Sequence, residues 1–175
     1  MLIGSTSNLS ALKKERLNRM DFEERKRVLR NQIAFAEWLL EPPGEYHVSF
    51  SMLHEIHDVS KVERMLQRWA LRQSSLLKSN IAYRGILTGK HRPHIHLIVW
   101  GRNRSGLTLK ENHRCPKWFW EYEQRGWWPG TMFHAPIYNQ EGLAVYIAVN
   151  NFNEMTFEPL QYATSKSLLK GDLHA

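Results

Sequence analysis

From Tyr46 to Met52 apolar and polar residues alternate, with Tyr46, Val48, Phe50 and Met52 on one side and His47, Ser49 and Ser51 on the other. A period of two marks a strand with one buried face. The period then lengthens. Val62, Met65, Leu66, Trp69, Leu76 and Leu77 recur at helical spacing behind Asp58 and Ser60, either of which can cap a helix that packs on the sheet. Two further strands are expected over 81–88 and 93–100, joined as a hairpin through Gly89 to Arg92. A fourth strand runs from Thr131 to Tyr138, and a helix follows from Glu141 to Asn150. Upstream, residues 1–9 read as a frayed tail. The stretch from about Ser10 to Leu40 is rich in Lys, Arg, Glu and Leu with no internal Gly or Pro, and predicts helix. Asp21 and Glu24 have capping-box spacing, which splits that stretch near Met20, and Pro42, Pro43 and Gly44 stop it. The aromatic run from Trp118 to Tyr122 predicts a short helix, residues 101–110 a polar loop, and the last twenty residues carry no pattern.

The order helix, strand, helix, strand, strand, helix, strand, helix, with one strand pair joined as a hairpin, predicts an antiparallel α+β sandwich. A chain of 175 residues supports one core, so residues 1–175 are read as a single domain. It carries a helical N-terminal extension (about 10–41) and a C-terminal tail (about 155–175) without assigned structure.

Charge narrows the partners. Twenty-four Lys and Arg against 17 Asp and Glu give a net charge of +7, which favours polyanions: nucleic acid first, an anionic membrane surface second. No apolar run approaches a bilayer span and the N-terminus lacks a signal-peptide core, so a cytoplasmic protein is expected. Cys115 is the sole cysteine, which excludes an intrachain disulfide and a cysteine-rich zinc cluster. Lys26, Arg27 and Arg30 sit among acids on the first helix and read as a solvated face.

His94 and His96, two apart on a predicted strand, leave the same face of the sheet and can reach one metal ion. A cation so held can polarise a phosphodiester; by spacing alone, two solvated or hydrogen-bonded histidines are the plainer reading. The whole stretch from Arg92 through Pro93, His94, Ile95, His96, Leu97, Ile98, Val99 and Trp100 to Gly101 resembles the second motif of the HUH endonucleases, named for histidine, hydrophobic residue, histidine. That superfamily includes rolling-circle replication initiators of plasmids and viruses, conjugative relaxases and single-strand transposases. Tyr46 to Met52 stands where the initiators carry their first motif and matches it loosely. The segment from Gly142 to Ala148 resembles the initiators' tyrosine segment, with Tyr146 at the tyrosine; the resemblance covers about residues 45–150.

The resemblance implies a ferredoxin-like, RRM-like antiparallel sheet of HUH architecture with the histidines on a central strand. It further implies Mg2+ or Mn2+ on His94 and His96, and Tyr146 as nucleophile. The product would be a 5′-phosphotyrosyl link and a free 3′-hydroxyl in single-stranded or hairpin DNA at an origin. Rolling-circle initiation in a prokaryotic host would need a replication helicase and a polymerase in trans. Two departures stand out. Val149 occupies the place, three beyond the tyrosine, where the initiators have lysine, and Gly85 to Thr88 lack the usual acidic or amide ligand. Asn150 shares a helical face with Tyr146 and is the candidate third ligand, as in the transposases; His134 is its rival, as in relaxases with three histidines. Arg92, Arg102 and Arg104 are the expected DNA-backbone contacts. His91, in the hairpin turn, would meet phosphate or solvent. His47, His54, His57 and His113 have no assigned partner. The aromatics from Trp118 to Trp128, with Lys117 and Arg125 between them, read as core for the most part, with base stacking the alternative. A transposase-like enzyme and a relative that binds DNA without cutting it are the competing functions. Relaxases usually place the tyrosine before the histidines, where Tyr46 reads as strand.

Overall fold

The structure is a computed structural model and describes residues 21–41, 43–52, 58–88, 93–112, 128, 130–151 and 158–162. Its elements run α1 (Phe22–Leu40), β1 (Tyr46–Met52), α2 (Val59–Leu77), β2 (Ser79–Thr88), β3 (His94–Asn103), β4 (Gly130–Pro136), α3 (Gln140–Asn151) and β5 (Glu158–Tyr162). All strand pairs are antiparallel, in the order β4-β1-β3-β2-β5, so the expected α+β class with an antiparallel sheet holds.

The alternation in β1 does what period two requires. Val48 and Phe50 are fully buried on one face, where they join Ile81, Tyr83, Ile95, Leu97 and Val99 beneath Val62, Leu66, Trp69 and Leu77 of α2. Phe50 meets Trp69 edge-on at 5.5 Å and Trp128 at 4.2 Å, so Trp128, the described member of the later aromatic stretch, is core. Asp58 caps α2 by accepting the Lys61 N–H, as its position predicts, and Lys78 ends the helix in the left-handed region at φ 51°.

The opposite face is covered by α1 and α3. Phe35 and Leu39 of α1 and Ala144, Ile147 and Ala148 of α3 pack with Ala82, Ile86, Ile98 and Trp100. The N-terminal helix is therefore a layer of the domain and not an extension beyond it. Asp21 caps it, accepting the Glu24 N–H at 2.7 Å; residues 10–20 lie outside the described residues. Arg84 of β2 fastens the far end of α1: it donates to the Trp38 carbonyl at 2.7 Å, pairs with the Glu41 carboxylate, and lies 4.8 Å from the Trp38 ring. A cation suits the carbonyl-rich C-terminus of a helix.

Two sequence expectations change. β3 continues through Asn103, absorbing the start of the expected loop, because Ser79 and Asn80 extend β2 before its expected start and, with Ile81, pair with Gly101 to Asn103. The tail contains β5, which pairs with the outer edge of β2. The connection 89–92 and the aromatic segment 118–122 lie outside the described residues. Among the described residues no helix is long and apolar enough to cross a membrane.

Candidate functional site

Directly paired residues of neighbouring strands share a face of the sheet. Ser51 pairs with His94 and Thr131, and Ser49 with His96 and Phe133. His94 and His96 thus share the α1/α3 face with His47, Ser49, Ser51, Thr131 and Phe133. The two helices pack on β2 and the later part of β3, while these residues occupy β1, β4 and the start of β3. His94, Thr131 and Phe133 are exposed, and His47, Ser49, Ser51 and His96 half-buried.

Each histidine of the pair has its δ nitrogen engaged. His94 Nδ1 lies 3.2 Å from Ser51 Oγ, and His96 Nδ1 lies 3.3 Å from His47 Nε2. Phe133, 58% exposed, meets the His47 ring edge-on at 6.2 Å. Burial pushes the imidazoles of His47 and His96 toward the neutral form; for His96, with His47 and His94 adding to the effect, the pKa falls to about 4. Neutral imidazole is the form that binds a metal ion.

That depression has a consequence for the metal-free protein. The unfolded imidazole takes up its proton near pH 6.5, whereas His96 in the fold resists it until about pH 4. Between those values the unfolded state binds more protons, so stability is full above pH 6.5 and falls as pH drops through the window, by on the order of 3 kcal/mol for this group. Urea unfolding at pH 7.5 and 4.5 measures the loss, and His96→Gln should remove most of this histidine's share. An unchanged slope in that variant would contradict the assignment.

Gly85 lies on the α2 face of β2, turned away from the histidines. It pairs with Leu97 beside His96, and a Cβ built there would stand 1.9 Å from the His96 carbonyl oxygen. Its neighbour Ile86, opposite His96, belongs to the core under the helices. The strand next to the histidines is given over to close packing.

The other expected residues scatter. His134 pairs with Val48, on the α2 face, so it cannot share an ion with His94 and His96; the odd spacing from Phe133 turns it away. Tyr146 and Asn150 do share one side of α3, but it is the outer side. Tyr146 is 55% exposed, off the stripe of Ala144, Ile147 and Ala148, and makes no ring contact with the histidines. The Asn150 amide turns back along its own helix and donates to the Tyr146 carbonyl at 3.0 Å. Tyr146 and Asn150 thus lie side by side on α3, off the stripe that packs into the core. Arg102 and Arg104 are exposed at the far end of β3. Arg102 stands eight positions along β3 from His94, roughly 27 Å of extended strand. Both arginines line a cleft of about 1040 Å3 with Lys78 and Asn80. Arg92, His91, His54, His57 and His113 lie outside the described residues.

Among the described residues no three His, Cys, Asp or Glu are grouped to hold an ion. His94 and His96, neither of whose ε nitrogens takes part in the contacts above, fit as two ligands of a divalent cation whose remaining positions are filled from elsewhere. His47 was missed by sequence reasoning. Alternation put it on the polar face, but nothing in the sequence revealed that β1 would lie beside β3 in this register.

No family model matches the chain, and no curated protein or solved structure is similar enough to count as a relative.

Proposed function

We propose that this chain is an HUH-type endonuclease, a metal-dependent enzyme that nicks and rejoins single-stranded DNA through Tyr146. The rolling-circle initiator is the form its motifs resemble most. The observation that carries the reading is the pair His94 and His96: two imidazoles on the central strand of an antiparallel sheet, turned to one face, their δ nitrogens engaged and their ε nitrogens available. The strand order β4-β1-β3-β2, with α2 between β1 and β2, supports a ferredoxin-like arrangement around that pair. The course of α3 also supports it. The helix starts at the Tyr46 end of the sheet, where Gln140 accepts the Gly44 N–H and donates to the Leu39 carbonyl. The chain next enters β5 opposite Leu87, one residue from the pairing of Thr88 with His94.

A divalent cation on His94 and His96 would polarise a non-bridging phosphate oxygen and offset charge developing on it. The phenol oxygen of Tyr146 forms a bond to phosphorus as the bond to the 3′-oxygen breaks, and the phenol proton ends on the departing 3′-hydroxyl. The phosphotyrosyl link keeps the phosphodiester's energy, so rejoining is the same exchange in reverse. The net charge of +7 favours retention of the DNA by phosphate contacts.

A second reading, a DNA-binding relative that does not cut, is favoured by the outward position of Tyr146 and by Val149 at the place of the lysine. The deciding experiment is incubation with single-stranded DNA from the flanks of the protein's own gene, with and without Mn2+. The endonuclease reading expects Mn2+-dependent cleavage and a protein–DNA adduct that survives denaturation. His94→Ala combined with His96→Ala should abolish both along with Mn2+ binding, while circular dichroism stays native. Tight binding with neither cleavage nor adduct would establish the second reading instead.

A further inference from the structure

We propose that His47 is a positioning residue for the metal site: it accepts a hydrogen bond from His96 Nδ1–H and so fixes His96 in the tautomer whose Nε2 is free to ligate. The inference rests on the proposal that His94 and His96 hold the cation, and adds to it a residue on a different strand.

Geometry argues for this role. The His47 and His96 rings are nearly parallel, at 12°, with centroids 5.5 Å apart and facing nitrogens 3.3 Å apart. A centroid separation that large, for a nitrogen separation that small, leaves room only for the two ring radii laid end to end. The rings therefore meet edge to edge in a common plane, with the lone pair of one nitrogen aimed at the other. Two imidazoles sharing one ion would instead have lone pairs converging on a point beside the line between them, which brings the centroids closer. The contact is a hydrogen bond, and His47 is not a co-ligand through Nε2.

One proton lies between the two nitrogens, and its owner decides what His96 can do. If His47 donates it, His96 carries its own proton on Nε2 and that nitrogen has no lone pair for a metal. If His96 donates it, Nε2 is the ligand. Ser51 repeats the arrangement one pair further along. Its hydroxyl lies 3.2 Å from Nδ1 of His94, directly across the ladder, and a hydroxyl can accept. Both histidines of β3 thus direct Nδ1 toward β1 and keep Nε2 on the other side of the ring. Orientation of ligating imidazoles through the other nitrogen is general in metal sites, and its loss costs about ten- to a hundredfold in affinity. His47 is moreover half-buried beside Phe133 and sits on a sheet strand, so its ring is held and not free to swing.

The test uses the full-length protein. In the metal-free wild type, nitrogen-15 spectra of labelled histidine should give His96 as the Nδ1–H tautomer. In His47→Leu, which removes the acceptor, His96 should shift toward the Nε2–H form. Mn2+ affinity should then fall about ten- to a hundredfold with one site retained. His47→Gln, whose amide oxygen reaches about as far as Nε2, should restore affinity to within about threefold of wild type. A general packing defect would not be rescued by glutamine or move the tautomer. The inference is overturned by Nε2–H at His96 in the wild type, or by wild-type Mn2+ affinity in His47→Leu. Affinity lost equally in His47→Gln and His47→Leu would make His47 a ligand and also overturn it. A wild type with His96 in the Nδ1–H form that binds no Mn2+ would overturn the metal reading itself, and the role of His47 with it.

Discussion

Tyr146→Phe is expected to bind single-stranded DNA with an affinity within about twofold of the native chain and to cut it more than about a thousandfold more slowly. The change deletes one oxygen from a side chain that is 55% exposed, so the fold has little to lose. The reaction, in contrast, would lose its nucleophile. Peptide mapping of the DNA adduct from the native protein should find it on Tyr146. Other described tyrosines are poor rivals: Tyr46 and Tyr83 are buried on the α2 face, Tyr162 of β5 pairs with Tyr83, five positions along β2 from the partner of His94, and Tyr138, 91% exposed, stands at the opposite end of the sheet beside Lys110. Cleavage undiminished in Tyr146→Phe, or an adduct on Tyr138, would remove Tyr146 from the mechanism while leaving the histidine pair in place. Clean cleavage without an adduct would point to a metal-bound water.

The second large effect is structural. Gly85→Val should lower stability by at least about 3 kcal/mol, and the melting temperature by about 10 °C, by forcing a side chain into a space already filled. Even the first added carbon would lie 1.9 Å from the His96 carbonyl oxygen and 2.8 Å from Leu97 Cδ2. The ladder must open at that point, with His96 beside it. Gly85→Ala should show the smaller form of the same defect, and in both variants Mn2+ affinity should fall with stability. A thermal melt within about 2 °C of wild type for Gly85→Val would mean that β2 and β3 part there at little cost.

The elements were largely legible because their patterns are local. Alternation in β1 gave its bounds as Tyr46–Met52, and the Asp58 cap and apolar spacing gave α2. β5 was not legible: five residues, Glu158 to Tyr162, with Pro159 among them, read as tail, and only the free edge of β2 makes them a strand. At the site, the shared face of His94 and His96 follows from period two alone. The contribution of His47 does not, since it depends on which strand lies beside β3 and in what register. The same dependence misdirected the choice of His134, whose face is fixed by counting from Phe133 across to Ser49 and Val48. Tyr146 and Asn150 were correctly placed on one side of a helix, but which side turns inward was decided by Ala144, Ile147 and Ala148 meeting α1.

Because α1 and α3 pack on β2 and the later part of β3, the histidine half of that face is bordered by the edge strand β4, with Thr131 and Phe133 exposed along it. Among the described residues no helix closes over that border. A tunnel admits a polymer only by threading from an end, whereas a surface open along one flank lets a strand be laid down sideways. If the site takes single-stranded DNA as proposed, the described residues would set no topological barrier to a closed circle, or to a loop pulled out of a duplex.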